Sequence, residues 1–250
     1  MKNIKITIEY DGKNYFGWQK QPDVPTVQGT LEDVLSSFLS EQITLTGCSR
    51  TDAGVSAVGY VANFYSDTQV PPDKFAAAVR HALPDDILII SSEDVPDDFH
   101  ATYSARSKTY RYYFSSSKIL HPLFSERIWQ INAPLSFEDM KEAAGYFTGT
   151  HEFDAFKNAD PSSDKKNTRK TVYNAKVFRP LSEDDDLYCF EVTGDGFLYN
   201  MVRIMAGTLA NVGEGKIDPS EIKNIIDSKD RKKAGVTAPA CGLYLYHVDY

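Results

Sequence analysis

Ile4, Ile6, Ile8 and Tyr10 alternate with Lys5, Thr7 and Glu9, so the chain opens on a half-buried strand that ends at the Asp11-Gly12 turn. Val27, Leu31, Val34, Leu35, Phe38 and Leu39 then recur at helical spacing behind Thr26, whose hydroxyl suits an N-cap. The spacing predicts an amphipathic helix laid over one face of a sheet. Ile43-Thr44-Leu45-Thr46 reads as a strand leading into a polar loop. Val58 to Tyr65 leads out of it, with Tyr60, Ala62 and Phe64 on one face and Val61, Asn63 and Tyr65 on the other. A second helix fits Pro72 to Leu83, with Phe75, Val79, Ala82 and Leu83 inward, and Ile87 to Ile90 follows as a buried strand.

The later part of the chain runs on the same plan. Tyr110, Tyr112 and Phe114 alternate with Arg111 and Tyr113 in a strand, and Ser136 caps a helix to Phe147 that turns Met140, Ala143, Ala144 and Phe147 inward. Thr171–Phe178 and Leu187–Thr193 read as strands around an acidic loop. Gly194-Asp195-Gly196 turns the chain into a helix from about Tyr199 to Val212, its inward stripe Val202, Met205, Leu209 and Val212, with Gly213 as terminator. A short helix follows from Pro219 to Ile226, and Leu243–Tyr250 closes as a strand. The expected class is α+β, in two halves of comparable order, 1–105 and 106–250, around a cleft. Lys157 to Lys170 has no periodicity and is the expected mobile basic loop.

At 250 residues and 42% hydrophobic composition the chain can bury a sizeable core and is not a disordered polymer. No apolar run approaches the roughly 18 residues that cross a bilayer, and Met1-Lys2-Asn3 passes directly into the first strand, so a cytoplasmic protein with no membrane partner is expected. Cys48, Cys189 and Cys241 lack Cys-x-x-Cys spacing and the five histidines are isolated, which implies no metal. The net charge of −8 opposes a polyanionic partner only if it is evenly spread. Much of the acid lies in Asp94–Asp98 and Glu183–Asp186, expected as outer loops. Tyr15, Phe16 and Trp18, in a loop with Gln and Lys, fit either base stacking or packing beneath the loop.

The chemistry concentrates between the two early strands, in Gly47-Cys48-Ser49-Arg50-Thr51-Asp52-Ala53-Gly54-Val55-Ser56-Ala57. Arginine and aspartate stand two apart with glycine at either side, which allows a sharp turn and close approach to a ligand, although Asp-Ala-Gly is also an ordinary turn. There is no phosphate loop, no Gly-x-Gly-x-x-Gly after a strand and no Gly-x-Ser-x-Gly elbow. What remains is one carboxylate beside an arginine, able to act as nucleophile or base without a cofactor.

This loop resembles the signature of the tRNA pseudouridine synthase A family, and further matching pieces occur in order along the chain. They are Tyr10-Asp11-Gly12 to Gly17-Trp18-Gln19-Lys20-Gln21-Pro22, Thr26-Val27-Gln28-Gly29, Phe99-His100-Ala101 with Ser107-Lys108-Thr109-Tyr110-Arg111-Tyr112, Gly149-Thr150-His151-Glu152-Phe153, Gly194 to Arg203, and Ala238 to Leu245. The resemblance implies the pseudouridine synthase fold, two similar halves around a mainly antiparallel sheet with the active-site cleft between them. It implies an isomerase that detaches uracil from a uridine in the anticodon stem-loop of tRNA and rejoins it through carbon, with no cofactor. Asp52, Tyr110 and Arg203 take the catalytic roles, and Arg50 with Tyr110 holds the substrate. The family grips RNA as a homodimer, for which Tyr244, Tyr246, Val248 and Tyr250 are the expected apolar surface. One position departs: Ser56 stands where the family usually has histidine, which leaves RNA choice open. The alternatives are the same chemistry on another structured RNA such as ribosomal RNA, a non-catalytic RNA-binding protein that kept the fold, and an unrelated small-molecule enzyme.

Overall fold

The computed structural model describes residues 1–119, 122–159, 167–182 and 186–250. In chain order the first elements are β1 (Lys2–Tyr10), α1 (Val27–Leu39), β2 (Thr46–Gly47), β3 (Ser56–Ser66), α2 (Pro72–Val79) and β4 (Ile87–Val95). Then come β5 (Ser107–Ser115), β6 (Trp129–Gln130), α3 (Phe137–Gly145), β7 (Gly149–Glu152), β8 (Arg169–Phe178), β9 (Leu187–Gly194), α4 (Met201–Gly213), α5 (Glu221–Ser228) and β10 (Leu243–Asp249). Two compact units result: Met1–Arg106 with Tyr244–Tyr250, and Ser107–Leu243. A division into 1–105 and 106–250 gives each half one continuous piece, whereas the structure returns residues 244–250 to the first unit.

In the first unit the strand order is β4-β1-β3-β10, with β2 also on β3. β1 lies antiparallel to both neighbours, and β10 joins β3 in parallel through Tyr244 opposite Ser56 and Leu245 opposite Ala57. Ile4, Ile6 and Ile8 are fully buried, as the alternation requires. Thr26 caps α1 by accepting from the Gly29 amide at 3.2 Å. Val27, Leu31 and Leu35 face the core, but the expected stripe ends there: Phe38 is exposed.

Three expectations in this unit need correction. The lead-in strand shrinks to Thr46–Gly47. Its backbone is satisfied instead by side chains of α1: Ser36 Oγ accepts from Ile43 N, Glu32 Oε1 accepts from Leu45 N, and Gln28 Nε2 donates to Leu45 O. Glu32 is thereby a buried carboxylate on a helix, held also by Lys20 at 3.2 Å. Second, α2 stops at Val79 and tightens into a 3-10 turn, Arg80–Ala82, which leaves Ala82 exposed. Third, β4 is an edge strand rather than a buried one. Ile87 and Ile89 face the core while Leu88 and Ile90 face solvent.

The second unit orders β5-β9-β8-β7, antiparallel throughout, with β6 parallel to β5. Ser136 caps α3 by accepting from Asp139 N at 3.4 Å, and Met140, Ala143, Ala144 and Phe147 are all buried. α4 is apolar nearly all round and buried nearly all round, packing against α3 and β5. On the sheet, Glu191 of β9 accepts from Arg111 at 2.7 Å and pairs with Lys176 at 2.9 Å. Burial raises its pKa, but the bonds from Lys176 and Arg111 outweigh that and hold it below the usual carboxylate range. Asp94, Asp97 and Asp98 are exposed, as expected of outer-loop acids. Of the expected basic loop Lys157–Lys170, residues 160–166 lie outside the described residues, as do acidic residues 183–185, whereas Arg169 and Lys170 are not loop but open β8.

Candidate active site

The Asp52 loop spans the gap between β2 and β3 and rests on the N-terminal segment through main-chain bonds. Trp18 N donates to Thr51 O at 3.2 Å, Gly54 N donates to Tyr15 O at 3.2 Å, and Val55 N closes the turn on Asp52 O at 3.1 Å. Below it, the Tyr10 and Thr51 hydroxyls share a hydrogen bond of 2.8 Å, and Trp18 stacks on Tyr60 with ring centroids 3.9 Å apart. Tyr60 donates its hydroxyl to Ser49 O. The loop is thus gripped at Ser49, Thr51 and Gly54. Asp52 sits between these points, half-buried, and Arg50 projects to the exposed side.

Gly17 makes this seating possible. It adopts φ +88°, and a Cβ there would lie 2.5 Å from Thr51 O, so any other residue would be strained and would lift the loop. Tyr15 and Trp18 are buried, which decides for packing over base stacking; Phe16 alone of the three is exposed. Burial and a bond donated to Asp86 hold the Tyr15 hydroxyl well above its ordinary pKa, so it stays protonated as a strut. Ser56 is buried too, and its Oγ accepts from Gly12 N at 3.0 Å. The departure from histidine is therefore an internal tie between loop and N-terminal segment, not an exposed change.

In the second unit Tyr110 projects from the middle of β5, only 6% exposed, and Phe197 meets its ring edge-on at a centroid distance of 5.2 Å. Arg203 lies in the first turn of α4. Its Nε donates to Ala238 O at 2.7 Å and Nη1 donates to Asn200 Oδ1 at 2.9 Å. Asn200 precedes the helix in the left-handed region, φ 61°, a conformation that asparagine tolerates.

The segment carrying Ala238 is itself strapped across α4. Ala238 N donates to Arg203 O at 3.2 Å, and Gly235 N donates to Thr208 Oγ1 at 2.9 Å. Gly207 lets the two backbones meet, since a Cβ there would lie 2.0 Å from Val236 O. Arg231 forks onto Gly235 O, Thr237 Oγ1 and Asn158 Oδ1 and so staples the strap from its far side. Tyr112 completes it, donating to Pro239 O at 2.8 Å, with burial pushing its hydroxyl pKa far up.

Arg50 and Asp52 thus share one loop of the first unit, and Tyr110 and Arg203 share the second unit on adjoining elements. Phe197 and Asn200 were not singled out in the sequence. Their signal was present, an aromatic and an αL-tolerant residue just before a helix that bears an arginine. Among the described residues no three of His, Cys, Asp and Glu converge, and no helix is long and apolar enough to cross a membrane.

A family model described as tRNA pseudouridine synthase matches residues 6–104 and 143–250. The chain is similar over the full length of both proteins to tRNA pseudouridine synthase A of Acetivibrio thermocellus at 48% identity, and to that of Ruminiclostridium cellulolyticum at 47%. The protein of the same name from Clostridium acetobutylicum is 46% identical, again over all of both chains. A solved Cbf5-Nop10-Gar1 complex matches 82% of this chain and 54% of its own at 14% identity and TM-score 0.33, too distant to add to these. A model match over most of the sequence, together with relatives of the same length at nearly half identity, means that the chain belongs to the tRNA pseudouridine synthase family.

Proposed function

We propose that this protein isomerises uridine to pseudouridine in the anticodon stem-loop of tRNA, with Asp52 as the catalytic carboxylate. The reaction breaks the bond from ribose C1′ to uracil N1 and forms one from C1′ to C5. The C5 proton leaves and N1 gains one, so nothing is oxidised and no cofactor is consumed. Asp52 either adds to the sugar or ring, or takes a ribose proton; both need a charged carboxylate in a fixed place. The target base must leave its stack, at a cost of a few kcal/mol, and Arg50 fills its place and holds the nucleotide out. Tyr110 lies against the uracil face and handles the ring proton. Arg203 acts through Asp52 by keeping its charge oriented.

The observation that carries this reading is the seating of the Arg50-Thr51-Asp52 segment. Main-chain bonds clamp the loop at Thr51 and Gly54, with half-buried Asp52 between them. That arrangement fixes a nucleophile or base in advance of the substrate, which an incidental turn does not need. Because Ser56 is spent on Gly12, its exchange gives no reason to redirect the enzyme to ribosomal RNA. Incubation with unmodified tRNA and, separately, ribosomal RNA, followed by mapping of new pseudouridines, is expected to mark anticodon-stem positions of tRNA only. New sites confined to ribosomal RNA would refute the assignment.

The working form we infer is a cytoplasmic homodimer, by analogy with the two-subunit grip on an L-shaped RNA. Of the stretch expected to supply its surface, Val248 is buried in the core of its own unit and Tyr250 donates to Ala101 O at 2.8 Å, which leaves half-buried Tyr244 and Tyr246. Sedimentation equilibrium at micromolar concentration should return twice the chain mass, and a monomer there would end the dimer proposal.

A further inference from the structure

Tyr103 is 84% exposed, an extreme value for a large aromatic side chain, yet its ring is not loose. The His100 ring lies against it with centroids 4.3 Å apart and planes 32° from parallel. His100 is in turn fixed, because its Nδ1 accepts from Thr102 N at 3.1 Å and from Tyr103 N at 3.4 Å. Two main-chain amides donating to one ring nitrogen fix the plane of the imidazole, which presents a flat π-face beside Tyr103.

The loop beneath is equally fixed. Two buried asparagines hold it: Asn3 Nδ2 donates to Pro96 O at 2.9 Å and Phe99 O at 3.0 Å, and Asn63 Oδ1 accepts from Ala101 N at 2.9 Å. Asn63 also donates to Asn3 Oδ1, so the pair forms one internal network. On the other side, Thr102 Oγ1 donates to Gly47 O at 2.6 Å, at the point where the chain enters the Arg50–Asp52 loop. A bare aromatic face has therefore been built on a rigid base and tied to the root of the catalytic loop.

We propose that the His100–Tyr103 pair is a stacking platform for an unpaired nucleobase of the substrate RNA, beside the nucleotide that enters the Asp52 site. This rests on the function proposed above. An aromatic face held in advance suits a base, since stacking needs a π-face and little ordering cost, and it tolerates any base identity. A flipped uridine leaves its neighbours unstacked, and such a platform re-stacks one of them.

The test measures binding of an anticodon stem-loop by fluorescence anisotropy to the wild type and to Tyr103→Ala, Tyr103→Phe and Tyr103→Trp. Each is measured with the intact RNA and with a series bearing one abasic nucleotide at each loop position. Base–aromatic stacking is worth about 5- to 160-fold in affinity on alanine substitution. Tyr103→Ala is thus expected to weaken intact RNA by about tenfold or more, with Phe and Trp within about threefold of wild type. At one abasic position the wild type should lose the same factor and Tyr103→Ala should lose nothing further, which identifies the stacked base. Equal binding by Tyr103→Ala, or loss that is the same at every abasic position in both proteins, would overturn the platform. Tritium release by the wild type runs alongside. Release without Tyr103 coupling sinks this inference alone, and coupling without release sinks the isomerase reading while leaving the platform standing.

Discussion

Asp52→Asn is expected to slow single-turnover release of tritium from uracil C5 by at least about ten-thousand-fold, the upper end of what loss of a general base costs and below the loss of a covalent nucleophile. Asparagine keeps the shape and removes the charge. The bonds that seat the loop, from Trp18 N to Thr51 O and from Gly54 N to Tyr15 O, are made by main-chain atoms that this change leaves in place. Circular dichroism should therefore show an unaltered melt. RNA affinity should stay within about threefold, since phosphate contacts elsewhere supply most of it. Turnover by folded Asp52→Asn within tenfold of wild type would remove the carboxylate from the chemistry.

Arg203→Ala should lose about a hundredfold in the same assay, the scale of a single oriented electrostatic contact at a reacting centre. The guanidinium is held by Ala238 O and Asn200 Oδ1, so it is presented rather than loosely tethered. A purely structural role would show in the melt. The strap keeps its other ties, Ala238 N to Arg203 O, Gly235 N to Thr208 Oγ1 and the Arg231 fork, all of which survive truncation of the side chain. Unfolding is accordingly expected to shift by only a few degrees, as a change of about 1 kcal/mol does in a protein of this size. On the proposal that Arg203 acts through Asp52, the Asp52→Asn, Arg203→Ala double variant should be no slower than Asp52→Asn alone. A double variant a further hundredfold slower would mean that the two act independently. Full activity of Arg203→Ala would dismiss the arginine.

The alternation of Ile4, Ile6 and Ile8 and the caps Thr26 and Ser136 were legible because each is a local rule with a local cause. Ile43–Thr46 has the alternation of a strand and misleads for a different reason. Glu32, Gln28 and Ser36 take over its backbone groups from across a helix, and periodicity carries no information about that. Ile87–Ile90 reads as buried because four apolar residues stand together, but the strand's place at an edge leaves Leu88 and Ile90 outside. At the site, Arg50, Asp52, Tyr110 and Arg203 came from motif resemblance; spacing alone left Asp52 in an ordinary turn and Tyr110 in a core. What no sequence rule supplied was the support: Gly17 under Thr51, Ser56 on Gly12 and the Ala238 strap around Arg203. Those ties join residues far apart in the chain, and their partners are visible only once the backbone is in place.

The return of β10 to the first unit has a consequence for how the chain is born. Tyr244 and Leu245 pair with Ser56 and Ala57, the two residues that follow the Arg50–Asp52 loop. Their ribosomal synthesis comes after the whole of Ser107–Leu243. At roughly 5–20 residues per second, that interval is on the order of ten seconds. Through it, the start of β3 emerges into the cell without its parallel neighbour, an open edge to which a nascent chain nearby can add a strand. The Asp52 loop is thus finished last although it is encoded early, and a chain cut short before residue 244 carries every residue of the proposed catalytic set yet lacks the strand paired to the start of β3.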